Sequence, residues 1–361
     1  MTEPNKNALA AELAEEVTTD VTAAVEPPRS RWRALVTSQV FITLAFLLIL
    51  IVIFSVLAPG KFGTVKNLSL LAQNVAILTV VSIGTTFVIA TAGIDLSIPS
   101  GIILGEVFAV KMLQIIPVGD EFAVDISANE TNLVIVGLAL GAALFAGFCI
   151  GSVNGLLVAY LRIPPMLATL GTLGAGLGVA LLLMNGVNTA TYALAMVADS
   201  DLVFGVSNLV LIALGVVALG YIGMHLSVFG RHTLAIGSSE EAARRVGLNV
   251  RLHLLKVYIV GGMAAGFAGF LSLSYFTTTS VGGHSTDNLQ AITAVALGGT
   301  SLFGGVATII GTVIGVWIPA VLQNGFIINR VNPYWQMVAV GAVLVTAVAL
   351  DQWRRRGQNR G

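Results

Sequence analysis

Charge is scarce in this sequence, and cysteine is nearly absent. Only 10% of its 361 residues are Asp, Glu, Lys or Arg, against about 25% in a typical soluble domain. One cysteine, Cys149, excludes a disulfide framework and a cysteine-rich metal centre. Its apolar neighbours read it as a small buried hydrophobe. The histidines His225, His232, His253 and His284 lack metal-ligand spacing. No Gly-x-x-x-x-Gly-Lys-Ser/Thr phosphate loop is present, since Gly60-Lys61 runs on into Phe62; an ATPase within the chain is excluded. Neither a His-Glu-x-x-His pair nor a Gly-x-Ser-x-Gly elbow occurs, and with them go the common hydrolase constellations. A net charge of zero leaves no global field to attract nucleic acid.

What remains is apolar. Hydrophobic residues make up 56% of the chain and mean hydropathy is +0.91. No water-soluble fold of this length hides so much apolar surface, so a lipid bilayer is the solvent. Roughly 20 apolar residues at 1.5 Å each cross a hydrocarbon core about 30 Å thick. That ruler predicts an all-α integral membrane protein, a polytopic bundle of about ten transmembrane helices with broken or re-entrant segments. The spans fall near 36–58, 69–92, 98–116, 132–160, 165–185, 206–227, 255–277, 288–303, 306–325 and 334–350. The third follows a broken stretch, and the eighth is short.

Residues 1–33 read as a disordered cytoplasmic tail, acidic through Glu12, Glu15, Glu16, Asp20 and Glu26 and closed by Pro27-Pro28. The membrane domain is 34–351, with a cytoplasmic loop at 229–256, and 352–361 form a basic cytoplasmic tail. The first apolar run is longer than the 7–15 residues of a signal peptide, so it reads as an anchor. With both termini inside, the inner segments hold Arg29, Arg31, Arg33, Arg162, Arg231, Arg244, Arg245, Arg251, Lys256 and Arg354 to Arg356. That asymmetry obeys the positive-inside rule, with Lys61, Lys66 and Arg330 as exceptions.

Forty glycines are spread through the chain. Gly147, Gly151 and Gly155 recur every four residues, preceded by Gly137 and Gly141; Gly262 with Gly266 and Gly311 with Gly315 repeat the spacing. Small-residue stripes of this kind let helix backbones approach in membranes.

Three stretches carry chemistry. In Gly93-Ile94-Asp95-Leu96-Ser97-Ile98-Pro99-Ser100-Gly101 a carboxylate sits where a bilayer charges about 2.5–3.5 kcal/mol for it. Glycine and Pro99 break the helix there. Asp95 caps the following helix with Ser97, lines a polar path, or does both; Glu106, eleven residues on, shares its face if Pro99 only kinks the helix. The second stretch, Leu297-Gly298-Gly299-Thr300-Ser301-Leu302-Phe303-Gly304-Gly305, interrupts the second half similarly, and paired interruptions point to a translocation path. The third is Ser238-Ser239-Glu240-Glu241-Ala242-Ala243-Arg244-Arg245-Val246-Gly247-Leu248-Asn249. Ser238 with Glu241 fits a capping box, Glu240 with Arg244 and Glu241 with Arg245 pair at i,i+4, and Gly247 supplies a left-handed stop. A charged helix of about two turns on the cytoplasmic face follows. So short a helix is marginal alone, so it docks on something.

These motifs together resemble the permease subunits of bacterial ribose/xylose-type ABC sugar importers. That family's Gly-Gly-Ile-Asp-Leu-Ser-Val-Gly-Ser signature is matched by Ala92 to Ser100, with Ala92 and Pro99 standing where glycines are usual. Collinear matches follow at Val153-Asn154-Gly155, Ile163-Pro164-Pro165, Thr169-Leu170-Gly171-Thr172, Asn185-Gly186, Phe229-Gly230-Arg231, Glu240 to Asn249, Leu297 to Gly305 and Asn324-Gly325. The resemblance implies a monosaccharide permease of the bacterial inner membrane, working by ATP-driven alternating access. Implied partners are a separate ABC ATPase that uses ATP and magnesium, an extracytoplasmic sugar-binding protein and a second permease copy. The permease itself binds no cofactor. The implied substrate path runs through Asp95, Ser97, Glu106, Asn154, Thr300 and Ser301. The ATPase-coupling helix comprises Ser238, Glu240, Glu241, Ala242, Ala243, Arg244, Arg245, Gly247 and Asn249. The rival is an ion-driven secondary transporter, which needs a relay of intramembrane carboxylates or histidines; Asp95 and Glu106 are its only material.

Overall fold

The computed structural model describes residues 39–115, 133–199, 201–203 and 206–332, and part of 334–349. The acidic tail, most of the basic tail's surroundings and the tail itself (1–38, 350–361) lie outside the described residues. Twelve helices are described: α1 (Gln39–Leu57), α2 (Val65–Ala90), α3 (Ile98–Ile115), α4 (Leu133–Ala159), α5 (Pro165–Met184), α6 (Ala195–Asp199), α7 (Asn208–Tyr221, continued by a π-turn at Ile222–Leu226), α8 (Val228–Ser238), α9 (Glu240–Arg245), α10 (Val250–Phe276), α11 (Asp287–Leu297) and α12 (Ile309–Ile328). A two-stranded hairpin, β1 (Asp201–Val203) with β2 (Val206–Ser207), joins α6 to α7.

Among the described residues, eight helices are long and apolar enough to cross a membrane: α1 to α5, α7 with its π-turn, α10 and α12. The predicted eighth span, 288–303, is different. Only Asp287–Leu297 is helical there, 11 residues, which rise about 17 Å, half a hydrocarbon core. Gly299, Gly304 and Gly305 then take φ of +92°, +80° and +80° and carry the chain back as a turn rather than a helix. The predicted last span is helical at 337–343, and the remainder is described only in part.

Helix ends follow local chemistry. The Thr64 hydroxyl accepts from Asn67 N to start α2, and Asn249 does the same for α10 through Leu252 N. Asn185 closes α5 in the left-handed conformation at φ 51°. Pro99 does not kink a helix; it is the second residue of α3, in the first turn, where its missing N–H costs nothing.

The core is built around α10, which packs on α2, α3 and α4. The predicted glycine stripes explain how. A Cβ built on Gly151 would lie 2.9 Å from Ile259 Cα, one on Gly147 2.9 Å from the Gly262 carbonyl carbon, and one on Gly266 3.0 Å from Gly147 Cα. The two backbones touch along α4 and α10, a contact that any side chain would pry open. Gly137 and Gly141 belong to the same spacing, yet a Cβ built on either would meet nothing within 4 Å; they line an apolar groove beside Phe108 and Phe145. Exposed apolar surface is plain on α1, which buries Thr43, Leu47, Leu50 and Phe54 while Val56 is 74% exposed. Cys149 is exposed too, correcting the expectation of burial: it points away from the Gly147–Gly151 face by which α4 packs.

Candidate functional site

The break between α2 and α3 is a polar clasp. Asp95 is 3% exposed, and its Oδ1 accepts from Ser97 N at 2.8 Å and from Ser97 Oγ at 2.6 Å. Asn154 Nδ2 on α4 donates to Ser97 Oγ at 2.7 Å, and Asn154 Oδ1 accepts from Thr172 Oγ1 on α5. One turn back on α5, Thr169 Oγ1 receives Leu96 N at 3.0 Å. Asp95, Ser97 and Asn154 are therefore brought together as expected. Asp95 holds Ser97, the residue before α3, rather than an N–H of the helix itself, and the Ser97 carbonyl accepts that helix's first bond, from Gly101 N at 3.0 Å. The hydroxyls of Thr169 and Thr172 complete the clasp; their motif was visible in the sequence, but without a role.

Glu106 is not part of it. Because α3 begins at Ile98, Asp95 stands off the helix and shares no face with Glu106. Glu106 is fully buried, and its Oε1 lies 3.0 Å from His284 Nε2 while its Oε2 accepts from Ser280 N at 2.9 Å. His284 Nδ1 in turn lies 2.7 Å from Asp287 Oδ2, at the start of α11. Burial alone lowers the His284 pKa; hydrogen bonds to Asp287 and Glu106, then their charges, outweigh it and raise the group to about 10. The loop that carries His284 is stitched to the one after α5, with Thr191 N donating to Thr277 O at 2.8 Å and Thr279 N to Thr189 O at 2.9 Å. Metal-ligand spacing does not single out His284 in the sequence. Its spacing from Asp287, three residues, was the available signal.

Thr300 and Ser301 lie in the second break, both buried. Thr300 Oγ1 accepts from Thr308 N at 3.1 Å, and Ser301 Oγ from Phe303 N at 3.2 Å. These hydroxyls shape the turn between α11 and α12. The turn reaches the first break: Gly305 N donates to Ala90 O, the last residue of α2, at 3.0 Å.

The charged loop meets the same place. Helix α8 runs through Ser238, whose hydroxyl turns back to Leu234 O at 2.9 Å. The N-cap of α9 is thus Ser239, accepting from Ala242 N at 3.2 Å, and the expected capping box from Ser238 to Glu241 does not form. With α8 continuing to Ser238, only the next serine is free to adopt the extended cap conformation. The i,i+4 ion pairs do form, Arg244 with Glu240 and Arg245 with Glu241, and Gly247 takes φ +86° as the stop. Six residues long, α9 is anchored by Ala243, which packs with Ile236 and Val250. Beneath it a cavity of about 350 Å³ is lined by Glu240, Arg244, Arg251, Arg162, Gly93 and Tyr258. The Tyr258 hydroxyl is buried without a hydrogen-bond partner among the described residues.

The Asp95 break, the turn before α12 and the end of α8 thus meet at one place. Residues 67–348 match the family described as the branched-chain amino acid transport system / permease component. The chain belongs to this permease family. Its curated relatives include the ribose import permease RbsC of Escherichia coli, 34% identical over 86% of this chain and 92% of the relative. The galactose/methyl galactoside import permease MglC of Escherichia coli is 33% identical over 80% of this chain and 87% of the relative. The fructose import permease FrcC of Rhizobium meliloti is 30% identical over 88% and 87%. The resemblance read from the motifs is borne out, and this permease is a multi-pass membrane protein. No solved structure matches it.

Proposed function

We propose that this chain is the membrane-spanning subunit of an ABC importer that carries a monosaccharide inward by alternating access. A separate ATPase docks on the α8–α9 loop, an extracytoplasmic binding protein delivers sugar at the opposite end, and a second permease copy completes the passage. The carrying observation is the α9 knob: exposed ion pairs outside, a packed apolar root inside, and the Asp95 break directly below. Relatives that import ribose, galactose and fructose support a sugar as cargo. The excess of Arg and Lys on the knob's end of the bundle supports a cytoplasmic position for it and for both termini.

Binding-protein docking outside and ATP binding inside each act by preferring one conformation, since a ligand shifts an equilibrium only through differential affinity. The clasp suits such a change: its bonds are neutral or singly charged and can be exchanged one for another. Among the described residues no hydrogen bond links Asp95 to the Glu106–His284–Asp287 cluster, so the two buried carboxylates do not join into one relay of the kind an ion-driven carrier uses.

In proteoliposomes containing the ATPase and the binding protein, Glu240→Lys replaces an attractive i,i+4 pair by a repulsive one. The variant is expected to insert normally, hydrolyse ATP and carry little sugar, and Gly247→Pro should behave alike. Uptake equal to wild type in both would overturn the assignment.

A further inference from the structure

We propose that Gly237, Gly304 and Gly305 form a transmission joint through which the α8–α9 loop drives both helix breaks as one body. Three segments distant in sequence meet here backbone to backbone. A Cβ on Gly237 would overlap the Ala90 carbonyl oxygen and lie 2.6 Å from Gly305 N. One on Gly304 would lie 2.7 Å from Ala92 N and 2.8 Å from Gly237 O, and one on Gly305 2.6 Å from Ser238 Oγ. The Gly305 N to Ala90 O bond closes the triangle. Only the small side chains of Ala92 and Ser238 border the junction of α8, the end of α2 and the turn before α12 at these glycines.

Such contact has a mechanical consequence. Side-chain interfaces absorb small displacements by changing rotamer, whereas touching backbones have no slack, and close-packed interiors pass strain onward. Helix α8 is a rod of 11 residues ending at Ser238. Its other end is held by Ser227, which accepts from Gly230 N at 3.1 Å, and its middle by Thr233 Oγ1, 2.8 Å from His253 Nε2 on α10. A push on α9 therefore emerges at Gly237. There it meets Ala90, five residues before Asp95, and Gly305, four residues after Ser301. The two interruptions are one moving part. Gly237, Gly304 and Gly305 are positioning residues and touch no cargo.

The inference rests on the proposed docking of the ATPase at α9, and its test separates the two. Gly237→Ala wedges a methyl between α8 and Ala90. We expect the variant to reach the membrane, to co-purify with the ATPase and to keep hydrolysis stimulated by the binding protein. Sugar carried per ATP should fall about tenfold, within the usual range of a lost coupling. Gly178→Ala, with nothing within 4 Å, should leave that ratio unchanged. A merely structural glycine would lower amount and rate together and spare the ratio. Independently, in a Cys149→Ser background, spin labels on Ala235→Cys in α8 and Phe303→Cys in the turn before α12, both exposed, leave every glycine of the joint in place. The distance between the labels should be the same before and after ATP binding to the assembled importer, because a joint that moves as one body keeps its spacing. A label distance that changes on ATP binding overturns the proposal, as does wild-type coupling in Gly237→Ala. Should Gly237→Ala fail to accumulate, the label distance decides alone. If instead the ATPase docks elsewhere, Glu240→Lys is silent; if only the joint is wrong, Glu240→Lys uncouples while Gly237→Ala does not.

Discussion

Asp95 and Glu106 are separated by eleven residues, and both are buried, but opposite chemistry holds them. Asp95 is satisfied by a backbone N–H and a hydroxyl, both from Ser97, and through Ser97 by Asn154. Glu106 faces the imidazole of His284, itself backed by Asp287. Hydrogen bonds to a carboxylate like those around Asp95 are worth about 1.5–3 kcal/mol each, and they can be broken one at a time as a helix shifts. Leaving one member of a buried ion pair without the other costs about 3–5 kcal/mol. The first arrangement suits a part that moves; the second suits a brace that ties α3 to the loop before α11 in every state.

Breaking the brace is the severest test. Glu106→Ala leaves His284 facing an empty site and Ser280 N without its acceptor, and should cost about 3–5 kcal/mol, read as a lowered thermal midpoint of the purified protein. Glu106→Gln keeps an acceptor for Ser280 N and should fall less. A midpoint unchanged in Glu106→Ala would remove the brace from the argument. Its pH dependence follows from His284, raised to about 10. The stabilisation from a raised group is whole below the unfolded value of about 6.5 and disappears as pH climbs through the folded value. The midpoint should therefore drop toward pH 10, and His284→Gln should flatten that drop.

The clasp should yield a smaller stability effect and a larger functional one. Asp95→Ala strands two donors and should cost about 1–3 kcal/mol, with sugar uptake lost while the protein still inserts. Asp95→Asn retains an acceptor at Oδ1 and should be milder in both. Misinsertion of Asp95→Ala would turn the clasp into a second brace and erase the contrast. Least of all, Arg245→Ala removes an exposed pair worth about 0.3–0.5 kcal/mol, and the midpoint should barely move. A large shift would mean that the knob is held by its charges and not by Ala243.

Local features were legible in advance. Long apolar runs marked eight helices, Asp95 stood out as a charge within apolar sequence, and Gly247 and the two acid-first pairs outlined α9. The Ser238–Glu241 spacing points to the wrong cap because a pattern of Ser followed three residues later by Glu cannot register that the preceding helix is still running. The span at 288–303 was misjudged for a related reason: composition registers apolarity, and it was the φ of Gly299, Gly304 and Gly305 that ended the helix. The apolar neighbours of Cys149 predict burial, but in a membrane protein apolarity does not distinguish a protein interior from a lipid-exposed face.

By itself the sequence determined the solvent of this protein, the run of its helices and the charged knob, because hydrophobic length, helix capping and i,i+4 pairing act over a few residues. The tertiary structure decided the partners. Asp95 reaches Asn154 across 57 residues between Ser97 and Asn154, Glu106 reaches His284 across 178, and Gly237 meets Ala90 and Gly305. Such pairings depend on how whole helices pack, and glycine spacing states only that a backbone can come close, not which one does.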